Sequence, residues 1–396
     1  MSKKAAAAPQ TDSSAILGKV GNHLQMGIVG LPNVGKSSLF NILTNMSIPA
    51  ENFPFCTIDP NVSRCAVPDE KYDWLCEVFK PASKVPAYLQ ITDIAGLVKG
   101  ASTGAGLGNA FLSHIQAVDG IYHMIRVFED SDITHVEDSV DPVRDLEIIS
   151  EELILKDIEH VSKTLDSLQR TLKNKTVDKA KQVELDCYAK VLELLKSGKH
   201  ARFGTYSNAE VEHIRELRLL TAKPALYLVN LSEEDFIRKK NKMLPKVMTW
   251  IQEHGGGPLI PISVKFEKEL AELKTPEERK AFETTKGATS AIPKIIKAGY
   301  HHLQLFHFFT CGKDEVRCWT IQSGCKAPQA AGVIHTDFEK GFIMAEVMSY
   351  EDYKKHGSEA ECKAAGRYRM EGKGYVMQPD DIVFFKFNTG GGNKKK

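Results

Sequence analysis

From about residue 25 the chain alternates between short apolar runs and longer segments with helical spacing. A helix is predicted directly after the first run, over residues 36–45. The apolar runs predict strands, at residues 26–29, 88–92, 120–127, 224–230 and 258–264. Strands that alternate with helices form parallel sheets with helices on both faces. The pattern therefore predicts an α/β domain with a mostly parallel sheet.

Two amphipathic segments interrupt this alternation. In the first, apolar side chains recur at spacings of three and four, at Ile158, Val161, Leu165, Leu168 and Leu172. A polar break, KNKTVDK, separates it from a second such segment that ends near residue 195. Ordinary surface helices of the α/β domain are the alternative interpretation. The length of the insertion instead favours an antiparallel helical hairpin at about residues 147–200.

A change of pattern after about residue 304 indicates a second domain. Short strand-like runs cover residues 316–321, 341–347 and 382–387, with a helical stretch near 359–371. We therefore predict a small α+β domain at residues 304–388. The remaining boundaries are a disordered tail at 1–23, the α/β domain at 24–285 and a basic tail at 389–396.

Composition indicates a soluble globular protein of two or three domains. The chain has 396 residues, of which 42% are hydrophobic and 26% charged, and its formal net charge is +1. That charge gives no whole-molecule argument for nucleic acid or an anionic membrane. No run approaches the roughly 18 apolar residues that span a bilayer. The eight cysteines form no Cys-x-x-Cys pair, which argues against a zinc ribbon. Because the N-terminal segment does not have the pattern of a secretory signal, we expect reduced thiols in the cytoplasm. The nucleus is a second expected compartment.

The segment from Gly30 to Ser37, GLPNVGKS, has the G-x-x-x-x-G-K-[ST] form of a phosphate-binding loop. It follows a predicted strand and opens a predicted helix, as the motif requires. Backbone N–H groups of Asn33, Val34, Gly35 and the helix start would hold the phosphates. The Lys36 ammonium would reach the β- and γ-phosphates, and the hydroxyl of Ser37 would bind Mg²⁺. Ser38, the next residue of the helix, is also predicted to contact the nucleotide. The motif therefore predicts a P-loop NTPase.

The next motifs narrow the class of NTPase. Asp93-Ile-Ala-Gly96 ends a predicted strand and has the D-x-x-G form, in which Asp93 binds Mg²⁺ through water and the Gly96 N–H senses the γ-phosphate. Thr57 lies upstream in a loop and would add a second hydroxyl to the metal. Together and in this order, the motifs predict a nucleotide switch that γ-phosphate and Mg²⁺ order.

A residue that positions the attacking water is less obvious. Ras-like enzymes have glutamine directly after D-x-x-G, but here that residue is Leu97, which cannot hydrogen bond to water. Hydrolysis is then either very slow or assisted by another group. The candidates are His114, at the end of a glycine-rich segment, and His135, in the acidic loop EDSDITHVED.

The base-reading motif Asn-Lys-x-Asp is replaced by Asn230-Leu231-Ser232-Glu233, in which Asn230, Leu231 and Glu233 are predicted to contact the nucleotide. Guanine offers two adjacent donors that the aspartate accepts, whereas adenine offers an acceptor at N1. Leu231 can pack on a purine, but the carboxylate of Glu233 extends one methylene further than that of aspartate. We therefore predict that ATP is preferred and that GTP is not fully excluded.

With these motifs, the chain resembles the Obg-like ATPases, the YchF group of P-loop proteins. The resemblance rests on GLPNVGKSSLFN, ENFPFCTIDPN, DIAGLVKGAS, GLGNAFLSHI, NLSE and GVIHTDFEKGFIMAEV, and it runs from about residue 24 to 388. It implies an Obg-type G domain interrupted by the hairpin, then a TGS domain with a β-grasp fold. It also implies ATP hydrolysis and association with ribosomes, through the large subunit. Finally, it makes His135 a better catalytic candidate than His114, and it fits a hydrophobic residue at Leu97.

Three functions stay open from the sequence. The first is a slow ATPase switch, and the second is a GTPase timer. The third is a scaffold that binds ribosomal protein or RNA through the hairpin and the TGS domain, with incidental hydrolysis. Loss of turnover in Lys36→Ala with an intact cellular role would favour the scaffold. We predict a monomer or weak dimer and no membrane association.

Overall fold

The computed structural model describes residues 17–45, 61–94, 96, 106–130, 135–137, 139–173 and 178–388. Within them the chain forms two compact units. The first holds residues 17–20, Gly27–Lys36 and Asp93–Lys265, and the second holds Gly21–Met26, Ser37–Thr92 and residues 266–388. Strand β1 (Gln25–Val29) and helix α1 (Lys36–Asn45) each begin in one unit and end in the other.

The first unit contains three of the predicted strands, β5, β6 and β7, and most of a fourth, β1. In the order of its sheet β1 is followed by β5, β6 and β7. Strands β5 and β6 pair in parallel from Ile121↔Ala225 to Arg126↔Asn230, and β6 pairs in parallel with β7. All residues of β5 and β6 are buried, as continuous apolar runs predict for central parallel strands. Their bounds are β5 Gly120–Arg126, β6 Ala225–Asn230 and β7 Leu259–Ile262.

The helices of this unit include the predicted hairpin. Helices α4 and α5 share one apolar cluster that includes Val161, Cys187, Tyr188 and Val191. Asp141 caps the start of α4 by accepting from two backbone N–H groups. The helices are α3 Gly106–Ala117, α4 Pro142–Leu172, α5 Lys179–Lys196, a 3-10 turn Ala201–Phe203, α6 Asn208–Leu217, α7 Glu233–Arg238 and α8 Leu244–Glu253.

The second unit is built on a six-stranded sheet with the order β11-β10-β12-β8-β9-β3. Neighbouring strands are antiparallel except for β12–β8 and β3–β9. The predicted strand at residues 88–92 is β4, and it pairs in antiparallel orientation with β2. The strands are β2 Val62–Ala66, β3 Ser83–Val85, β4 Tyr88–Asp93, β8 Leu305–Cys311, β9 Glu315–Gln322, β10 Phe342–Ser349, β11 Arg369–Glu371 and β12 Asp381–Phe387.

Helices cover one face of this sheet, where Ala327, Ala330 and Ala331 of α12 are buried against it. The helices are α2 Glu70–Phe79, α9 Val264–Glu272, α10 Pro276–Lys286, α11 Ile292–His302, α12 Ala327–Ile334, α13 Thr336–Lys340, α14 Tyr350–His356 and α15 Glu359–Ala364.

Three details differ from the sequence prediction. The predicted helical stretch near 359–371 ends at Ala364, because Gly366 adopts φ 67° and the chain then enters β11. Strand β3 was not predicted, since three residues carry no periodic pattern. The predicted disordered tail extends to residue 23, yet Gly21 and Asn22 are hydrogen bonded to Gln322. Residues 1–16 and the predicted basic tail lie outside the described residues.

In the part of the chain that is described, no helix has the length and apolar character needed to cross a membrane. The seven cysteines of that part are all free thiols.

Candidate nucleotide site

The predicted phosphate loop joins β1 to α1. Two of its residues adopt left-handed backbone angles, Asn33 with φ 62° and Gly35 with φ 104°. A methyl group on Gly30 would lie 2.6 Å from the carbonyl oxygen of Met124, and one on Gly35 would lie 2.8 Å from the amide nitrogen of Asn230. The loop is therefore packed against β5 and the end of β6 too closely for a side chain at either glycine.

Lys36 is the first residue of α1, and its side chain is buried. Its Nζ donates to the carbonyl oxygen of Leu31 at 2.7 Å, and a methyl group on Gly96 would lie 3.1 Å from that Nζ. Burial lowers the pKa of Lys36 to about 8, and the negative charge of Asp93 opposes that shift. The structure thus brings together three predicted site residues, Lys36, Asp93 and Gly96.

This lowered pKa predicts that nucleotide affinity depends on pH. Bound phosphates favour the charged ammonium, so the pKa of Lys36 rises on binding and a proton is taken up above about pH 8. We expect the Kd for ATP to increase from about pH 7.5 to about pH 9, by at most tenfold per pH unit. Calorimetry in buffers of different ionisation enthalpy measures both the affinity and the proton uptake.

The matched variant for this prediction is Lys36→Arg, because a guanidinium stays charged throughout the range. Its affinity, whatever the absolute value, should not change with pH. An equal pH dependence in the wild type and in Lys36→Arg would assign the titration to another group.

The predicted magnesium ligands are only partly within the described residues. Ser37 follows Lys36 in α1 with Ser38 after it, and Asp93 is the last residue of β4. Thr57 lies outside the described residues, and so does Leu97.

Asn230, predicted to contact the nucleotide, connects two backbone segments of the site. Its Nδ2 donates to the carbonyl oxygen of Val34 at 2.9 Å, and its Oδ1 accepts from the N–H of Val264 at 3.1 Å. Both hydrogen bonds are buried. One side chain at the end of β6 therefore holds the phosphate loop to the segment that follows β7.

Leu231 directly follows Asn230, and Glu233 is the first residue of α7. The N–H of Leu231 donates to the carbonyl oxygen of Ile262 at 2.8 Å, and its side chain is only 2% exposed. That side chain belongs to an apolar cluster with Val127 and Trp250. Glu233 is half-buried in the first turn of α7, directly after the capping residue Ser232.

A large cleft lies beside these residues. Its volume is about 950 Å³, and its lining includes Phe128, Ser232, Asp235 and Asn241. The amide nitrogen of Asn241 donates to the carbonyl oxygen of Val127 at 3.2 Å and to Asp235 at 2.7 Å. Asn241 therefore fixes the wall of the cleft that follows β5 to the wall formed by α7. The volume lies within the range of small-molecule sites.

The two histidine candidates have different surroundings. His114 is exposed on α3, whereas His135 is buried and its Nε2 lies 2.9 Å from Oδ2 of Asp145. The N–H of Glu137 donates to Nδ1 of His135 at 3.1 Å. Because Nδ1 accepts a hydrogen bond, the proton of the neutral ring is on Nε2, which donates to Asp145. Both ring nitrogens are therefore engaged.

Asp145 was not predicted from the sequence. It is buried on α4, ten residues after His135, and burial raises the pKa of its carboxyl group, although Arg144 and His135 oppose that shift. Arg144 donates to Oδ1 of Asp145 at 3.1 Å and to the carbonyl oxygen of Ser139 at 2.6 Å. In the sequence, the only signal for this carboxylate was its position among apolar residues.

Known proteins are similar to this chain over nearly its whole length. "Obg-like ATPase 1" of Oryza sativa subsp. japonica is 58% identical over 380 residues, which are 96% of each chain. "Obg-like ATPase 1" of Homo sapiens is 57% identical over 384 residues, again 96% of each chain. The chain belongs to the Obg-like ATPase family. The family resemblance predicted from the motifs is confirmed.

The solved structure of the Schizosaccharomyces pombe YchF GTPase matches with a TM-score of 0.85 at 52% identity, covering 93% of this chain and 99% of that one. The YchF-GTPase_C family model, described as a protein of unknown function, matches residues 305–388. The MMR_HSR1 model, described as "50S ribosome-binding GTPase", matches residues 25–177. The predicted fold class is confirmed, and the chain is a GTPase-type P-loop nucleotide-binding protein. The relatives' names disagree on the base, since one says GTPase and the others ATPase.

Proposed function

We propose that the chain is a switch that hydrolyses ATP to ADP and phosphate, and GTP less well. The observation that carries the hydrolase proposal is the position of the Lys36 ammonium, enclosed by the phosphate loop and beside Gly96 and Asp93. A buried cation at the start of a helix, next to the residue that senses the γ-phosphate, stabilises the charge that phosphoryl transfer develops. Asn230 keeps the loop in place for this role.

Magnesium is the metal that the donor set fits. Ser37 offers a hydroxyl and Asp93 a carboxylate, both hard oxygen ligands, and Thr57 is the third proposed ligand. Mg²⁺ would neutralise charge on the β- and γ-phosphates. Asp93 has a second effect in the free protein, because its charge favours the ammonium form of Lys36.

The preference for adenine rests on Leu231 and Glu233. In a guanine site a lysine stem covers the ring and an aspartate accepts both guanine donors. Here the residue after Asn230 is a buried leucine, whose side chain belongs to the apolar cluster. The cleft beside α7 has the volume for a nucleoside, and Phe128 gives it an aromatic wall. We therefore place the base in this cleft.

A competition experiment tests the base preference. We expect ATP to bind about 10- to 200-fold more tightly than GTP, the discrimination of a site that lacks paired groups for guanine. Glu233→Asp should reduce that ratio by improving GTP binding. Leu231→Lys should not be combined with Glu233→Asp, because it would bury an ammonium among apolar side chains.

Glu277→Asp is the matched control, since Glu277 is an exposed glutamate in the first turn of another helix, α10, and does not line the cleft. It should leave the ratio unchanged. GTP binding tighter than ATP in the wild type would reject the adenine argument and favour a GTPase timer.

The ribosome is the proposed partner. The description "50S ribosome-binding GTPase" belongs to the family model that matches residues 25–177, and we extend it to this chain as a proposal. The hairpin and the C-terminal domain are the proposed contacts with RNA. The proposed compartment is the cytoplasm, with the nucleus as a second one. Co-sedimentation with large ribosomal subunits in ATP, ADP or no nucleotide tests whether the contact depends on the switch.

A further inference from the structure

A small cavity lies at the root of the helical hairpin, in the first unit. Its walls come from α4, from the turn that follows α5, from α8 and from the beginnings of β5 and β6. Its polar and aromatic lining residues are His123, Ser150, His200, Arg202, Tyr227 and Trp250. Its volume is about 10 Å³, which suits one occupant of the size of a water molecule.

Two buried polar atoms of this lining have no hydrogen-bond partner among the described residues. They are Nδ1 of His200 and Nε1 of Trp250. Their side chains are almost fully enclosed, with residue exposures of 7% and 5%. An unpaired buried donor costs about 1–3 kcal/mol, so two of them in one cavity indicate an occupant that accepts from both.

The cavity walls are fixed by hydrogen bonds. Ser150 Oγ lies 2.7 Å from Nε2 of His200. When the serine hydroxyl donates to Nε2, the ring proton is on Nδ1, and Nδ1 becomes a donor like Trp250 Nε1. Burial lowers the pKa of His200 to about 2, so the ring is neutral. The N–H of Ala201 donates to Thr221, which holds the turn in place.

The charge around the cavity is positive. Arg202 donates to the carbonyl oxygen of Lys223 at 3.2 Å and to the hydroxyl of Tyr227 at 3.4 Å. Besides burial, Arg202 and neighbouring histidines lower the pKa of His123 and His200, and Tyr227 raises the pKa of Arg202 against the effect of burial. In the described part of the chain, no carboxylate contributes to the pKa of these three groups. Other buried cations differ, since Lys223 has Asp119 and Asp157 nearby.

We propose that this cavity binds one small monovalent anion of halide size, which accepts hydrogen bonds from Nδ1 of His200 and Nε1 of Trp250 beside the Arg202 guanidinium. The volume excludes phosphate and carboxylate groups, and two donors next to an uncompensated cation favour an anion over a neutral water. The anion links α4, the turn after α5 and α8. It thereby stabilises the attachment of the hairpin to the nucleotide-binding unit.

Crystals of the full chain grown in sodium bromide test the site directly. We expect a bromine anomalous peak between the rings of His200 and Trp250. A water molecule there without anomalous signal would overturn the proposal, because bromide at crystallisation concentration would have failed to displace it.

Thermal unfolding gives the second test and needs no crystal. The melting temperature of the wild type should rise saturably with chloride or bromide, compared with gluconate at the same ionic strength, because gluconate is too large for the cavity. Trp250→Phe removes one donor and should weaken the halide affinity by about tenfold. Arg202→Met should abolish the halide response.

Arg218→Met is the matched control, since Arg218 is exposed at the end of α6 and does not line the cavity. Its response to halide should equal that of the wild type. If Arg202→Met does not fold, Trp250→Phe decides the matter. An unchanged halide response in Trp250→Phe would overturn the proposal.

Discussion

Replacing His135 by alanine is expected to lower the turnover number for ATP by about a hundredfold or more, with little change in ATP affinity. A positioned acid–base side chain contributes about 10² to 10⁴ in rate. His135 is the histidine of the two that the fold holds in one orientation, between Asp145 and the N–H of Glu137. His114→Ala, on the exposed face of α3, is the comparison and should leave turnover unchanged.

A substitution of Asp145, the hydrogen-bond partner of His135, tests the same histidine in a second way. In the structure both nitrogens of His135 are engaged, so the ring can accept a proton from water only after one of these bonds opens. Asp145→Asn replaces a charge-assisted hydrogen bond by a neutral one, which weakens it by about 1 kcal/mol. We therefore expect basal turnover to rise by about fivefold.

Single-turnover measurements of the two variants separate the possible roles. Glu147→Gln removes an exposed charge from the same helix and serves as the control for Asp145→Asn. A decrease of turnover in Asp145→Asn would mean that Asp145 orients the histidine for reaction instead of holding it back. Equal turnover of His135→Ala and the wild type would remove His135 from the mechanism.

Replacing Asn230 by alanine is expected to lower the free energy of unfolding by about 2–6 kcal/mol. The substitution leaves the carbonyl oxygen of Val34 and the N–H of Val264 buried without their partner, and each such group costs about 1–3 kcal/mol. Because Val34 belongs to the phosphate loop, nucleotide affinity should also fall, by about tenfold or more. Urea unfolding and nucleotide titration measure the two effects.

Asn208→Ala is the control for this prediction, since Asn208 is exposed at the start of α6. It should change the free energy of unfolding by no more than about 0.5 kcal/mol. If Asn230→Ala retained wild-type stability and affinity, the side chain would not support the loop, and direct contact with the base would be its remaining role.

Local sequence signals were sufficient to predict the glycine-rich loop and the elements on either side of it. The G-x-x-x-x-G-K-S pattern fixed a strand, a tight loop and a helix in consecutive residues, so Gly30, Gly35 and Lys36 were assigned without tertiary information. The D-x-x-G motif was also local, and the structure brings Asp93 and Gly96 beside Lys36. The periodicity of apolar residues likewise predicted α4 and α5.

The base end could not be predicted so fully. Asn230 and Leu231 were expected to face a purine because the motif places them after a strand. In the structure Asn230 uses its amide on Val34 and Val264, and Leu231 lies in an apolar cluster. Neither partnership is visible in the sequence, because the partners are separated from these residues by tens to hundreds of positions.

By itself, the sequence determined the fold class, the family and the position of the glycine-rich loop between β1 and α1, since these depend on short contiguous motifs and on periodicity. Only the tertiary structure showed that His135 is held by Asp145, that β3 joins the C-terminal sheet and that Arg202 lies beside two unpaired donors. Those features depend on which distant side chains meet in a dry interior. There, an unmatched hydrogen bond or charge costs enough free energy to determine how each group is used.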